Sequence, residues 1–205
     1  IQITYTLKDS NELLVEFEAS SDKKTVVSLT MHPYFNLSED HQSTIGDHLL
    51  HIRADKFLAL MPDSIPSGEK SSVANTPFDF RSEKLIGAGL GMNDEQLKIA
   101  GGYDHCFVVD NKLDSLQRMA TVHHPVSGRT LEVFSNAAGV QVYTSNFLNQ
   151  SFSGRGGMRF KKYNGICLEP EEFPNAPNEP SFPSPILNPG ETYHHTISFR
   201  FGNRL

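Results

Sequence analysis

The sequence predicts an all-β chain packed as two antiparallel sheets, and three observations carry that prediction. Apolar residues recur at every second position along much of the chain. Those alternating runs are broken by clusters of Asp, Ser, Asn, Gly and Pro. No stretch has the spacing of an amphipathic helix of three turns. A period of two separates the faces of a strand, and two half-buried sheets cover one another most simply as a sandwich.

Each element follows from its own pattern. Ile1, Ile3, Tyr5 and Leu7 alternate with polar residues; beyond Asp9-Ser10-Asn11, Leu13, Val15, Phe17 and Ala19 alternate again. Residues 1–19 therefore read as a hairpin. Residues 24–31 are a β-branched stretch, and 48–60 alternate with Leu50, Ile52 and Ala54 on one side. Residues 116–124 and 130–135 flank a Pro-Val-Ser-Gly-Arg turn and read as a second hairpin. Tyr193, His195, Ile197, Phe199 and Phe201 form the last strand. Residues 61–102, rich in Ser, Gly, Asn, Asp and Pro, read as a long loop. Residues 170–189 hold seven of the twelve prolines, which fix φ and remove donors, so an ordered non-sheet loop is expected there. Long loops on a rigid sandwich are a usual place for a site.

At 205 residues a single domain spanning 1–205 is expected. A hydrophobic share of 38% with 20% charged residues suits a folded chain rather than a disordered one. The formal net charge of −6 argues against a general nucleic-acid binder, which presents a basic face. No apolar run is long enough to cross a membrane as a helix, so no membrane partner is expected. Two Cys cannot build a disulfide framework, and free thiols suit a reducing, cytoplasmic compartment. The start at Ile1, directly in strand-like alternation, leads us to expect further chain before it.

Four polar positions interrupt apolar strand contexts: His32 after a β-branched run, Asp104 (with His105 beside it) before Cys-Phe-Val-Val, Gln141 within Gly-Val-Gln-Val-Tyr, and Glu169 at the entry to the proline-rich loop. A His and a Glu facing one cleft can act as general acid and general base. Their separations in sequence do not by themselves bring them together. Nine His invite a metal reading, but the pairs His123-His124 and His194-His195 point to opposite strand faces. No H-x-x-x-H or C-x-x-C spacing is present, so no metal site is expected. Cys106 shares a face with Asp104, and Cys167 with Glu169; both read as small buried apolar side chains.

Taken together, these segments resemble the aldose 1-epimerase family. The resemblance rests on His32-Pro33-Tyr34-Phe35-Asn36-Leu37, Gly102-Tyr103-Asp104-His105, Gly139-Val140-Gln141-Val142-Tyr143-Thr144-Ser145-Asn146, Leu168-Glu169-Pro170-Glu171 and Leu187-Asn188-Pro189-Gly190-Glu191-Thr192-Tyr193, in that order over nearly the whole chain. It implies a galactose-mutarotase-like β-sandwich and cofactor-free interconversion of the anomers of an aldohexose such as galactose or glucose. By that resemblance Glu169 matches the general base, His32 the general acid, Asp104 a binder of sugar hydroxyls and Gln141 a weaker contact. The expected partner is a monosaccharide, and no metal or cofactor is implied. The family is longer at its N-terminus, where an arginine and a second histidine meet the sugar; no residue here matches either. Glu171 stands where a Gln is commoner. Two further readings stay open: a hexose-6-phosphate 1-epimerase, for which no Arg cluster lies near the candidate acid and base, and a catalytically silent sugar-binding module.

Overall fold

The computed structural model describes residues 1–40, 42–109 and 115–204. Its strands are β1 (Gln2–Lys8), β2 (Glu12–Ala19), β3 (Thr25–Val26), β4 (Leu49–Ile52), β5 (Lys56–Leu60), β6 (Pro66–Ser72), β7 (Lys84–Leu85), β8 (Asp104–Val108), β9 (Gln117–His123), β10 (Arg129–Ser135), β11 (Gly139–Tyr143), β12 (Asn149–Ser153), β13 (Arg159–Lys161), β14 (Cys167–Glu171), β15 (Ile186–Leu187) and β16 (Tyr193–Asn203). The helices α1 (Gly87–Leu90) and α2 (Glu95–Ala100) are short.

Seven strands form one sheet in the order β1-β2-β16-β10-β9-β4-β7, and five form a second in the order β14-β11-β8-β5-β6. All their pairings are antiparallel. The expected all-β sandwich is therefore present, with both expected hairpins: Gln2 pairs with Glu18 through to Lys8 with Glu12, and Thr130 pairs with His123. Val15, Phe17, Leu50, Ile52, Val122, Leu131, Val133, Ile197 and Phe199 from the large sheet meet Phe57, Phe107, Val140, Val142 and Leu168 from the small one in a single buried cluster. Burying each such large side chain contributes about 1.5–3 kcal/mol.

Four segments differ from the expectation. Residues 61–102 are not one loop: they carry β6, β7, α1 and α2, and send Val73, Phe78, Phe80, Ile86 and Leu97 into the core. Phe78 stacks on Phe57 at 4.2 Å. The apolar residues of this segment are too sparse to show a period: Val73, Phe78, Phe80 and Ile86 enter the core from turns and irregular chain, and Leu97 from the short α2. Residues 48–60 are not one strand. The chain leaves the large sheet after Ile52 and joins the small one at Lys56, so adjacent Phe57 and Leu58 are both buried, in different clusters. In the stretch 24–31 only Thr25–Val26 is strand, and it pairs with Ile186–Leu187. The proline-rich segment 170–189, expected outside the sheets, thus enters sheets at both ends, since β14 runs on through Pro170 to Glu171 on the edge of the small sheet, where a missing donor is tolerated.

The rest of that proline-rich segment folds over the outer face of the small sheet. Phe173, Ala176 and Phe182 pack there on Leu58, Cys106 and Ala138 as a second, smaller core. A glycine permits this approach: a Cβ on Gly139 would stand 2.5 Å from Cys106 Sγ and 3.0 Å from the Phe173 ring. We expect Gly139→Ala to cost about 1–3 kcal/mol by overpacking and to loosen the segment. Urea denaturation with limited proteolysis checks this; unchanged stability and an equally protected segment would contradict it.

The inner face of the large sheet extends beyond its cover. Ile3, Tyr5 and Leu7 lie opposite Phe17, Val15 and Leu13, on the core side, yet are 43%, 56% and 79% exposed.

Candidate active site

Strand register assembles the site. In the small sheet Tyr143 of β11 lies between Asp104 of β8 and Cys167 of β14, and Gln141 lies between Cys106 and Glu169. Directly paired residues share a face, and so do residues two apart along a strand. Asp104, Gln141, Tyr143, Cys167, Glu169 and Glu171 therefore stand on one face, opposite the core-facing Val142 and Leu168. His105 falls on the other parity. It is fully buried, lies against Phe78 at 4.6 Å and accepts the Asp104 amide at Nδ1, so it is a core residue.

His32 arrives from outside the sheet. Phe35 and Ile166 exchange both backbone hydrogen bonds, at 2.8 and 2.9 Å. Counting three residues back along one antiparallel segment and three forward along the other brings His32 opposite Glu169. Gly165 allows the approach, since a Cβ there would sit 3.1 Å from Tyr34 Cβ. The following residues pin the segment. Asn36 Nδ2 donates to the Ser43 and Asn164 carbonyls, and the Leu37 amide donates to His48 Nε2.

The resulting geometry is specific. His32 Nε2 lies 3.4 Å from Glu169 Oε1, with the His half-exposed and the Glu buried. Gln141 Nε2 donates to Asp104 Oδ1 at 2.7 Å, which orients that carboxylate. Tyr34 and Tyr143 flank the His32 ring at 5.1 and 6.0 Å. All four residues expected from the sequence thus share one patch of the sheet.

Three carboxylates crowd this patch. Burial, then the charges of Glu171 and Asp104, push Glu169 up to about 8. Burial, then Asp104 and Glu172, push Glu171 up to about 7. Burial raises Asp104, against the Gln141 hydrogen bond and the nearby His32, which lower it. Burial, then Glu169 and Asp104, raise the Cys167 thiol well above its usual range. Among the described residues no Lys or Arg is ion-paired with Glu169, Glu171 or Asp104. Glu169 can consequently take and release a proton near neutrality, beside a His able to supply one.

Sequence reasoning did not single out Tyr34 or Tyr143 as parts of this patch, marked Glu171 only through the resemblance, and read Cys167 as a small buried apolar side chain. Their signal was parity: each stands two residues from a residue that was singled out.

A family model described as aldose 1-epimerase matches residues 1–200. Galactose mutarotase of Homo sapiens is 41% identical over 201 residues, which cover 98% of this chain and 57% of that protein. Aldose 1-epimerase of Escherichia coli (strain K12) is 37% identical over 201 residues, covering 97% and 57%. A solved aldose epimerase homologue from C. elegans superposes with a TM-score of 0.84 at 28% identity, covering 99% of this chain and 59% of that one. Galactose 1-epimerase from Lactobacillus acidophilus NCFM gives 0.83 at 28% identity, covering 99% and 57%. The chain spans little more than half the length of the curated relatives it matches.

Proposed function

The chain belongs to the aldose 1-epimerase family, and on that premise we propose that it carries the acid–base centre of an isomerase interconverting the α- and β-anomers of an aldohexose such as galactose or glucose. The observation that carries this reading is the 3.4 Å approach of His32 Nε2 to Glu169 Oε1. The C1 hydroxyl and the ring oxygen of an aldose are bonded to the same carbon. Ring opening therefore needs a base and an acid within a few bond lengths of each other. Glu169 takes the proton from the C1 hydroxyl and His32 gives one to the ring oxygen. The C1–O5 bond breaks and the open-chain aldehyde rotates about C1–C2. The ring then closes on the other face of the carbonyl, with the proton transfers reversed. Asp104, oriented by Gln141, accepts hydrogen bonds from sugar hydroxyls.

Polarimetry on a sugar freshly dissolved as one anomer tests the proposal. Accelerated relaxation supports it; sugar binding without acceleration supports the silent binding module instead. A free sugar fits better than a phosphorylated one, because the three strands that carry the patch hold no Lys or Arg to pair with a phosphate.

In this reading the chain acts as one domain, 1–205, in the cytoplasm, with a monosaccharide as partner and neither nucleic acid nor membrane. No helix among the described residues is long and apolar enough to cross a membrane. Proton transfers need no metal or cofactor, so prolonged treatment with a chelator should leave the rate undiminished. Loss of activity restored by one divalent ion would contradict this. The uncovered row of Ile3, Tyr5 and Leu7 is suited to packing under further strands of the same protein, which would also bring additional sugar contacts. The intact natural protein should then exceed 22.8 kDa. Full activity at that mass with no second polypeptide would count against the further segment.

A further inference from the structure

We propose that His32, Cys167 and Glu169 form a three-ligand site for a thiophilic divalent cation such as Zn²⁺, and that this cation and the sugar exclude one another. The second half rests on the function proposed above; the first does not.

The donor atoms of these three residues all lie within 4.8 Å of one another, and His32 Nε2 to Glu169 Oε1 is 3.4 Å. Ligand bonds of about 2.0–2.3 Å at tetrahedral angles place neighbouring donors roughly 3.3–3.8 Å apart, so small side-chain turns close the set. Imidazole, thiolate and carboxylate together suit Zn²⁺ rather than Mg²⁺ or Ca²⁺, and three protein ligands leave a fourth position open. The surroundings favour a cation, since Asp104 and Glu171 stand on the same face without a paired Lys or Arg among the described residues. On binding, the Cys167 thiol releases its proton to water and ligates as thiolate.

A second trio, Asp47, His48 and His124, is as compact but differs in its nitrogens. His48 Nε2 accepts the Leu37 amide at 3.0 Å, and His124 Nδ1 accepts the Ser127 amide at 3.2 Å. The nitrogens facing Asp47, at 2.9 and 3.4 Å, therefore carry the protons and offer a cation no lone pair. His32 has no such backbone donor to its ring among the hydrogen bonds of the described residues, and its half-exposed ring can turn.

Co²⁺ is the probe, because a thiolate bound to it gives a near-ultraviolet charge-transfer band. Titrating the chain with Co²⁺ should give that band at one ion per chain. Cys106→Ser and His124→Asn should keep it. Cys167→Ser should lose it, and Glu169→Gln should weaken binding by more than the roughly 10–100-fold that outer-shell changes cost. Circular dichroism confirms that each variant is folded. Absence of the band in the parent chain, or its persistence in Cys167→Ser, overturns the site. Excess galactose should weaken Co²⁺ binding, and micromolar Zn²⁺ should slow mutarotation competitively. An intact band unaffected by a sugar shown to bind overturns mutual exclusion while leaving the metal site standing.

Discussion

Glu169→Gln should lower the rate of anomer exchange by about 10²–10⁴-fold while the protein stays folded. Gln keeps the shape of the side chain and its place beside His32, but it cannot accept the C1 proton. The carboxylate is buried and held up to about 8, so the fold itself opposes its charge. The variant should therefore be at least as stable as the parent. That combination separates a catalytic role from a structural one. If Glu169 merely anchored the proline-rich segment, its replacement would lower stability and rate together. Polarimetry beside urea denaturation decides the matter, and a near-parental rate in the folded variant removes Glu169 from the mechanism.

Glu171→Gln should raise stability by about 1–2 kcal/mol at pH 8 and change it little at pH 4.5. Glu171 moves from its ordinary 4.5 up to about 7 on folding, through burial first and then through Asp104 and Glu172. Between those two values the unfolded chain has lost the proton while the folded chain keeps it. The folded state thus binds more protons, and stability falls as pH rises through the window. Above about 7 the folded carboxylate is ionised at a cost, and a neutral Gln relieves it. The full displacement is worth roughly 3 kcal/mol; side-chain relaxation and coupling to Glu169 reduce what a single substitution recovers. Urea denaturation at both pH values, with chelator present, measures the difference. Equal stabilisation at pH 4.5 would place the effect in packing rather than charge.

Much of the site was readable from alternation. A polar residue in a strand announces itself when its neighbours at odd spacing are apolar, as Gln141 does between Val140 and Val142, and Glu169 does after Leu168. Alternation did not separate Asp104 from its neighbour His105; the register of β8 with β11 did, by pairing Asp104 with Tyr143 and His105 with the core-facing Val142. The segment 61–102 was misread for the opposite reason: Phe78 and Phe80 are buried by turns, and turns leave no period in the sequence.

By itself, then, the sequence determined the all-β class, the hairpins at 1–19 and around 125–129, and which side chains share a strand face. Those are local properties, governed by the pleat and by the turn residues. Only the tertiary structure decided that β11 lies between β8 and β14, that the chain changes sheet between Ile52 and Lys56, and that His32 stands over Glu169. These depend on backbone hydrogen bonds between residues far apart, such as Phe35 with Ile166. Any two strands of matching polarity can form such bonds, so the choice among partners is made by the packing of the whole core.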